Sequence, residues 1–149
     1  MTGSVSATTL YLDTSALVKL YLAEAESEMV HEAVEEAERS ATSTVAYAEL
    51  RAAFGRRHRS GDLDNEGLRL AVARVDADWR GYLRISTSNL LAYRAGEMAE
   101  RYALRGFDAI HLASAARLGE RFGDLRFLAF DDRLVGAARE ASVPVYGEA

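Results

Sequence analysis

Short strand-type runs alternate with longer helix-type segments from one end of this chain to the other. Thr8–Leu12, Ala41–Ser43, Leu83–Ser86, Phe127–Phe130 and Val143–Tyr146 read as strands. Between them, Ala16–Ala23, Glu26–Glu38, Thr44–Arg59, Leu63–Tyr82, Asn89–Leu104, Phe107–Arg121 and Arg133–Ala141 read as helices. In Asn89–Leu104 the apolar residues Leu91, Ala95, Met98 and Tyr102 recur at helical spacing, and Gly106 marks the break. This alternation predicts an α/β domain with a mainly parallel sheet. Phe127–Phe130 is apolar throughout, as a strand buried on both faces is. The only proline, Pro144, falls in the last strand-type run; it has no N–H for a ladder, so that run belongs at a sheet edge. No linker, repeat or shift of composition divides the chain, so residues 1–149 are expected to form one domain. The small, polar Met1–Ala7 reads as a frayed lead-in.

Composition removes several classes of function. Without cysteine there is no disulfide framework and no thiolate chemistry. Three widely separated histidines, His31, His58 and His111, argue against a structural zinc site. No apolar stretch reaches the roughly 18 residues of a membrane span, and the first basic residue is Lys19, so the start lacks a secretory n-region. A soluble, cytoplasmic protein is the expectation. The formal net charge of −5 is the wrong sign for binding nucleic acid by bulk charge, so any such role needs a local site. Lys19 is the one lysine among 18 basic residues, a bias that coding composition explains as well as phosphate recognition does.

Four acids fall at places that a parallel sheet makes special. Asp13 directly follows the first strand and Asp131 directly follows Phe127–Phe130. Glu49 lies about one turn into the helix after the second strand, and Asp108 starts the helix that leads into Phe127–Phe130. All four are expected on the rim formed by the carboxyl ends of the strands, where open α/β sheets bind ligands. Crowded carboxylates raise one another's pKa values unless a cation compensates them. An all-oxygen ligand set suits Mg²⁺ or Mn²⁺, which activates water and stabilises the leaving oxygen of a phosphodiester. Each acid also has an ordinary explanation. Asp13, Asp108 and the Asp131-Asp132 pair fit helix N-caps, and Glu49 fits a solvated helix position. It is the set of four on one rim that caps alone leave unexplained.

Four stretches carry a resemblance to a known family. They are Tyr-Leu-Asp-Thr-Ser-Ala-Leu-Val-Lys at 11–19, Ser-Thr-Val-Ala-Tyr-Ala-Glu-Leu at 43–50, Arg-Gly-Phe-Asp-Ala-Ile-His-Leu-Ala-Ser-Ala at 105–115, and Phe-Leu-Ala-Phe-Asp-Asp-Arg-Leu at 127–134. Each is weak alone; together, in this order, they resemble the PIN-domain ribonucleases, specifically the VapC toxins of type II toxin–antitoxin systems. The resemblance covers essentially the whole chain. It implies a three-layer fold with a five-stranded parallel sheet, order 3-2-1-4-5, flanked by helices. It implies endonucleolytic cleavage of RNA dependent on Mg²⁺ or Mn²⁺, with Asp13, Glu49, Asp108 and Asp131 as the acidic metal-binding residues. Ser15 matches a hydroxyl position that assists through hydrogen bonding or water, and Asp132 is the less certain neighbour of Asp131. The resemblance also implies a homodimer held inactive by a VapB-type antitoxin, although free-standing PIN nucleases without an antitoxin belong to the same family.

Other residues have weaker assignments. Arg56 lies seven positions beyond Glu49, about 10 Å along an ideal helix and close to the same face, within reach of an RNA phosphate. Arg51, Arg57 and Arg59 read equally well as solvated helix residues. His111, one turn after Asp108, is expected to be structural, because hard cations prefer oxygen. Trp79, Tyr82, Tyr93 and Tyr102 are expected in the core or an interface. Two rivals remain. An aspartyl-nucleophile phosphatase needs a second acid two residues after Asp13, where Ser15 stands. A non-enzymatic α/β interaction module, such as a receiver domain, wants an acidic pair near the first strand, and the acids here are distributed otherwise.

Overall fold

A computed structural model describes residues 7–148. Of the N-terminal lead-in expected over Met1–Ala7, all but Ala7 lies outside the described residues. Four strands form one parallel sheet: β1 (Thr9–Leu12), β2 (Arg39–Ser43), β3 (Leu83–Ile85) and β4 (Leu125–Leu128), in the order β3-β2-β1-β4. Seven helices surround them: α1 (Thr14–Tyr21), α2 (Ser27–Glu36), α3 (Val45–Arg59), α4 (Asn65–Trp79), α5 (Asn89–Tyr102), α6 (Gly106–Arg121) and α7 (Asp132–Glu140).

The layers follow from the two-residue period of a strand. On β1, Leu10 and Leu12 face one way and pack among Leu17 of α1, Val30 of α2, Leu50 and Phe54 of α3 and Val75 of α4. Tyr11 faces the other way, among Leu91 of α5, Leu112 of α6 and Leu134 of α7. Every residue of β1 is buried, which is what a strand covered on both faces requires. Successive strands step outward from β1 to β2 to β3, and the chain then returns to the opposite side of β1 to form β4. The order therefore reverses between β1 and β4, the topological switch point where such sheets open a crevice at their carboxyl ends.

The fifth strand is absent from the described sheet. Val143–Tyr146 runs beside the free edge of β4, but it pairs only through a single bridge between Phe127 and Val145. The Phe127 N–H donates to the Pro144 carbonyl at 2.8 Å, and the Tyr146 N–H donates to the Phe127 carbonyl at 3.0 Å. Pro144 has no N–H with which to lengthen that pairing. β4 itself lies two residues earlier than its apolar run suggests. Arg126 joins the ladder with its guanidinium half-exposed and paired to Asp124 at 3.1 Å. Ala129 and Phe130 leave it, because the Phe130 N–H is taken by the Ser15 hydroxyl at 3.1 Å. Asp131 consequently follows its strand after two intervening residues rather than directly. Helix α5 also stops early: Ala103 takes a left-handed conformation (φ 55°) after Tyr102, and Gly106 becomes the first residue of α6 rather than the break. The expected aromatics divide. Tyr82 is buried and packs edge-on to Trp79, whereas Tyr93 is 73% exposed and outside the core.

Candidate active site

Asp13 stands where β1 becomes α1, and its surroundings explain both its position and its charge. Its N–H donates to the Leu128 carbonyl at the end of β4, at 3.2 Å, so the residue is anchored across the switch point. Its Oδ1 accepts from the Ala16 N–H at 3.0 Å and from the Ser15 hydroxyl at 2.7 Å. Asp13 is thus a true N-cap, and the capping bonds use one oxygen and leave Oδ2 outside the cap. Only 3% of the residue is exposed. Burial pushes its carboxyl pKa up; His111, the Ser15 bond and the Ala16 N–H pull it down, and the charge of Asp108 pushes it up again.

Asp131 caps α7 in the same way, accepting from the Leu134 N–H at 3.0 Å through Oδ1. It is exposed, as is Asp132, whose charge acts on Arg139 along the same helix. Asp108 sits in the first turn of α6, half-buried. Its pKa is raised, first by burial and then by Asp131, with a further push from Glu49, against the opposing pull of His111 and Arg105. Like-charge crowding therefore links Asp108 to Asp13, Glu49 and Asp131, which come from four separated stretches of chain.

Glu49 lies one turn into α3 and is held from two sides. The Thr14 hydroxyl donates to Oε1 at 2.5 Å, and Nε2 of His111 lies 2.9 Å from the same oxygen. Burial favours the protonated acid here, but the His111 and Thr14 bonds outweigh it, and the Glu49 pKa is lowered. His111 is 1% exposed, with Nδ1 at 2.8 Å from the Tyr11 hydroxyl. Glu49 and Asp108 share a cleft of about 430 Å³ with Arg105, Gly106, Phe107 and Ile110. Arg56 and Ser15 line a second cleft of about 430 Å³ with Lys19, Arg57 and Phe130. There Lys19 and Arg57 both pair with Glu24, at 3.0 and 2.9 Å, whereas Arg56 is exposed. A larger groove of about 1110 Å³, between Leu83, Tyr93 and Phe122, contains none of the four acids.

Among the described residues, no three acidic or histidine side chains already stand as a finished metal cage. The donor chemistry nevertheless suits a hard divalent cation. The acids offer oxygen only, Asp13 and Asp108 are pushed up by burial and by neighbouring acids, and the capping bonds of Asp13 and Asp131 leave Oδ2 uncommitted. Three participants were not singled out from the sequence: Thr14 as the hydroxyl on Glu49, Arg105 as a cation that acts on Asp108, and Tyr11 behind His111. Thr14 lies in the same Asp-Thr-Ser stretch as Ser15, but helix geometry alone does not tell which hydroxyl serves which acid.

The fold and these acids invite comparison with known proteins. The family model described as PIN domain matches residues 10–140. The chain belongs to the PIN-domain family. Ribonuclease VapC45 of Mycobacterium tuberculosis (strain CDC 1551 / Oshkosh) is 33% identical over 111 residues, covering 74% of this chain and 77% of that protein. Among solved structures, Mycobacterium tuberculosis VapC20, described as a sarcin-ricin loop cleaving toxin, superposes with a TM-score of 0.65 at 21% identity, over 86% of this chain and 94% of that one. A toxin–antitoxin complex from Klebsiella pneumoniae superposes with a TM-score of 0.59 at 21% identity, over 82% and 86% of the two chains. The two structures speak for the PIN fold. The sequence relative places this PIN domain beside the VapC group, as the motifs suggested.

Proposed function

We propose that this PIN domain is a divalent-metal-dependent endoribonuclease, the toxin of a VapC-type toxin–antitoxin pair, acting in the cytoplasm as a single domain. The observation that carries the reading is the placement of Asp13 directly after β1 and of Asp131 just beyond β4, either side of the switch point, with Asp108 electrostatically tied to both. Names of relatives that are ribonucleases support RNA as the substrate, and a neighbouring toxin–antitoxin complex supports a VapB-type antitoxin as partner. The homodimer remains part of the proposal through the resemblance alone.

In this reading Asp13, Glu49, Asp108 and Asp131 hold Mg²⁺, or Mn²⁺ in its place. When bound, that ion activates a water and stabilises the departing oxygen of the phosphodiester. The protein's own contribution is arrangement. The caps of α1 and α7 fix Asp13 and Asp131, Ser15 ties Asp13 to the Phe130 backbone, and Thr14 with His111 fixes Glu49. Arg105, in the cleft with Glu49 and Asp108, and Arg56, in the neighbouring cleft, supply positive charge for phosphates on either side of the scissile bond. Asp132 is left at the rim.

The protein freed of any partner is expected to cleave single-stranded or looped RNA with Mg²⁺ or Mn²⁺ and to stop in excess chelator. Asp13→Asn and Asp108→Asn are each expected to cut the rate on the order of a hundredfold or more with the fold retained. Undiminished cleavage in chelator would refute the metal reading. Cleavage that no small co-encoded protein suppresses would favour the free-standing nuclease over the toxin.

A further inference from the structure

The buried pair of Tyr11 and His111 does more than fill the core. A carboxylate such as that of Glu49 can only accept hydrogen bonds. The Thr14 hydroxyl donates its single proton to Oε1 at 2.5 Å. His111 Nε2 lies 2.9 Å from that same oxygen and 3.2 Å from the Thr14 oxygen. With the His111 ring 1% exposed, an unprotonated Nε2 would set a buried lone pair against the carboxylate oxygen, so the geometry calls for a proton on Nε2. On the far side of the ring, Nδ1 meets the Tyr11 hydroxyl at 2.8 Å, and Tyr11 is clamped between the His111 ring (5.9 Å, edge-on) and the Phe127 ring (5.6 Å, stacked). Tyr11 is itself fully buried, and its phenolic O–H is placed to donate to Nδ1. The ring has no freedom to turn away.

We infer that His111 is a positioning residue: its Nε2–H, with the Thr14 hydroxyl, holds Oε1 of Glu49 and leaves Oε2 as the oxygen this acid presents to a cation. Two donors on one oxygen break the equivalence of the carboxylate's two oxygens and lock its rotamer before a ligand arrives. Supporting contacts of this kind orient ligating side chains and are worth about 10- to 100-fold in metal affinity. The sequence expectation that His111 is structural is thereby extended: it is no metal ligand, but it sets the geometry of one. The inference rests on the proposed role of Glu49 in holding a cation, and its test separates the two.

The test has two arms. In the first, nitrogen-15 NMR of the metal-free wild-type protein reports the His111 ring directly. A proton bonded to Nε2 and in slow exchange with water is expected; a bare Nε2 overturns the inference whatever the protein does with metal. In the second, Mn²⁺ binding is measured by calorimetry, with no RNA present. His111→Leu is expected to weaken binding about tenfold, and His111→Gln, which keeps an N–H near the place of Nε2, to recover most of the loss. In a Glu49→Gln background the same His111→Leu change is expected to cost nothing further. Equal losses with and without the Glu49 carboxylate overturn the positioning role, as does normal binding by a folded His111→Leu protein. If His111→Leu does not fold, the comparison of wild type with His111→Gln and the NMR result carry the decision. A wild-type protein that takes up no Mn²⁺ overturns the metal reading itself, and the positioning role with it.

Discussion

Asp108 carries a charge that the folded state penalises. Its carboxyl is raised by burial and by Asp131 and Glu49, so the folded state binds that proton more tightly than the unfolded state. The penalty for ionising it is absent below the ordinary value of 3.8 and complete above the raised value. Asp108→Asn is therefore expected to melt higher than wild type in chelator at neutral pH, by about 2 °C. That advantage should fade as the pH falls towards about 4. Glu49 has the opposite sign: its lowered pKa makes its charged form stabilising above 4.5, and that contribution is lost on acidification. Thermal melts of both variants across this range check the two signs, and a lower melting point for Asp108→Asn in chelator would contradict the first. At this scale the sequence was partly legible. The acids announce themselves by following strands, and their capping roles are equally visible, since Asp13 and Asp131 do cap their helices. Which hydroxyl serves which acid was not visible. That depends on the entry angle of α1, which directs Ser15 back to Asp13 and Thr14 across to α3.

Among the elements, legibility followed periodicity and failed where a backbone group found an unexpected partner. The apolar run Phe127–Phe130 does not coincide with β4, because the Ser15 hydroxyl removes the Phe130 N–H from the ladder. The fifth strand failed because proximity to an edge is not pairing, and Pro144 limits the contact to one bridge. The end of α5 was hidden because it is made by an alanine. Ala103 adopts φ 55°, a region in which a Cβ costs about 1 kcal/mol, where glycine is the usual cap. Ala103→Gly is accordingly expected to stabilise the protein by roughly 0.5–1 kcal/mol, read from the denaturant midpoint at unchanged slope. A loss of stability would mean that the Ala103 methyl group contributes more than its backbone strain costs.

On the scale of the whole molecule, β1 is shared property. Leu10 and Leu12 belong to one apolar core and Tyr11 to the other, so both cores depend on the same strand. The two halves are expected to unfold together: far-ultraviolet and near-ultraviolet circular dichroism should trace coincident melting curves. Two separated transitions would show that the halves are independent. The parallel sheet is legible from the alternation and the order of strands around β1 only from the resemblance; the missing outer strand leaves that order around β1 untouched. Net charge, by contrast, says little about where RNA meets the protein, because Lys19 and Arg57 are spent on Glu24 while Arg56 is exposed.

The bond between Glu49 and His111 joins α3, from one helical bank, to α6, from the other, round the end of the central strand. A bolt in that position makes the banks informants on each other. A substitution that shifts either bank therefore displaces one of the two partners that meet at this carboxylate oxygen.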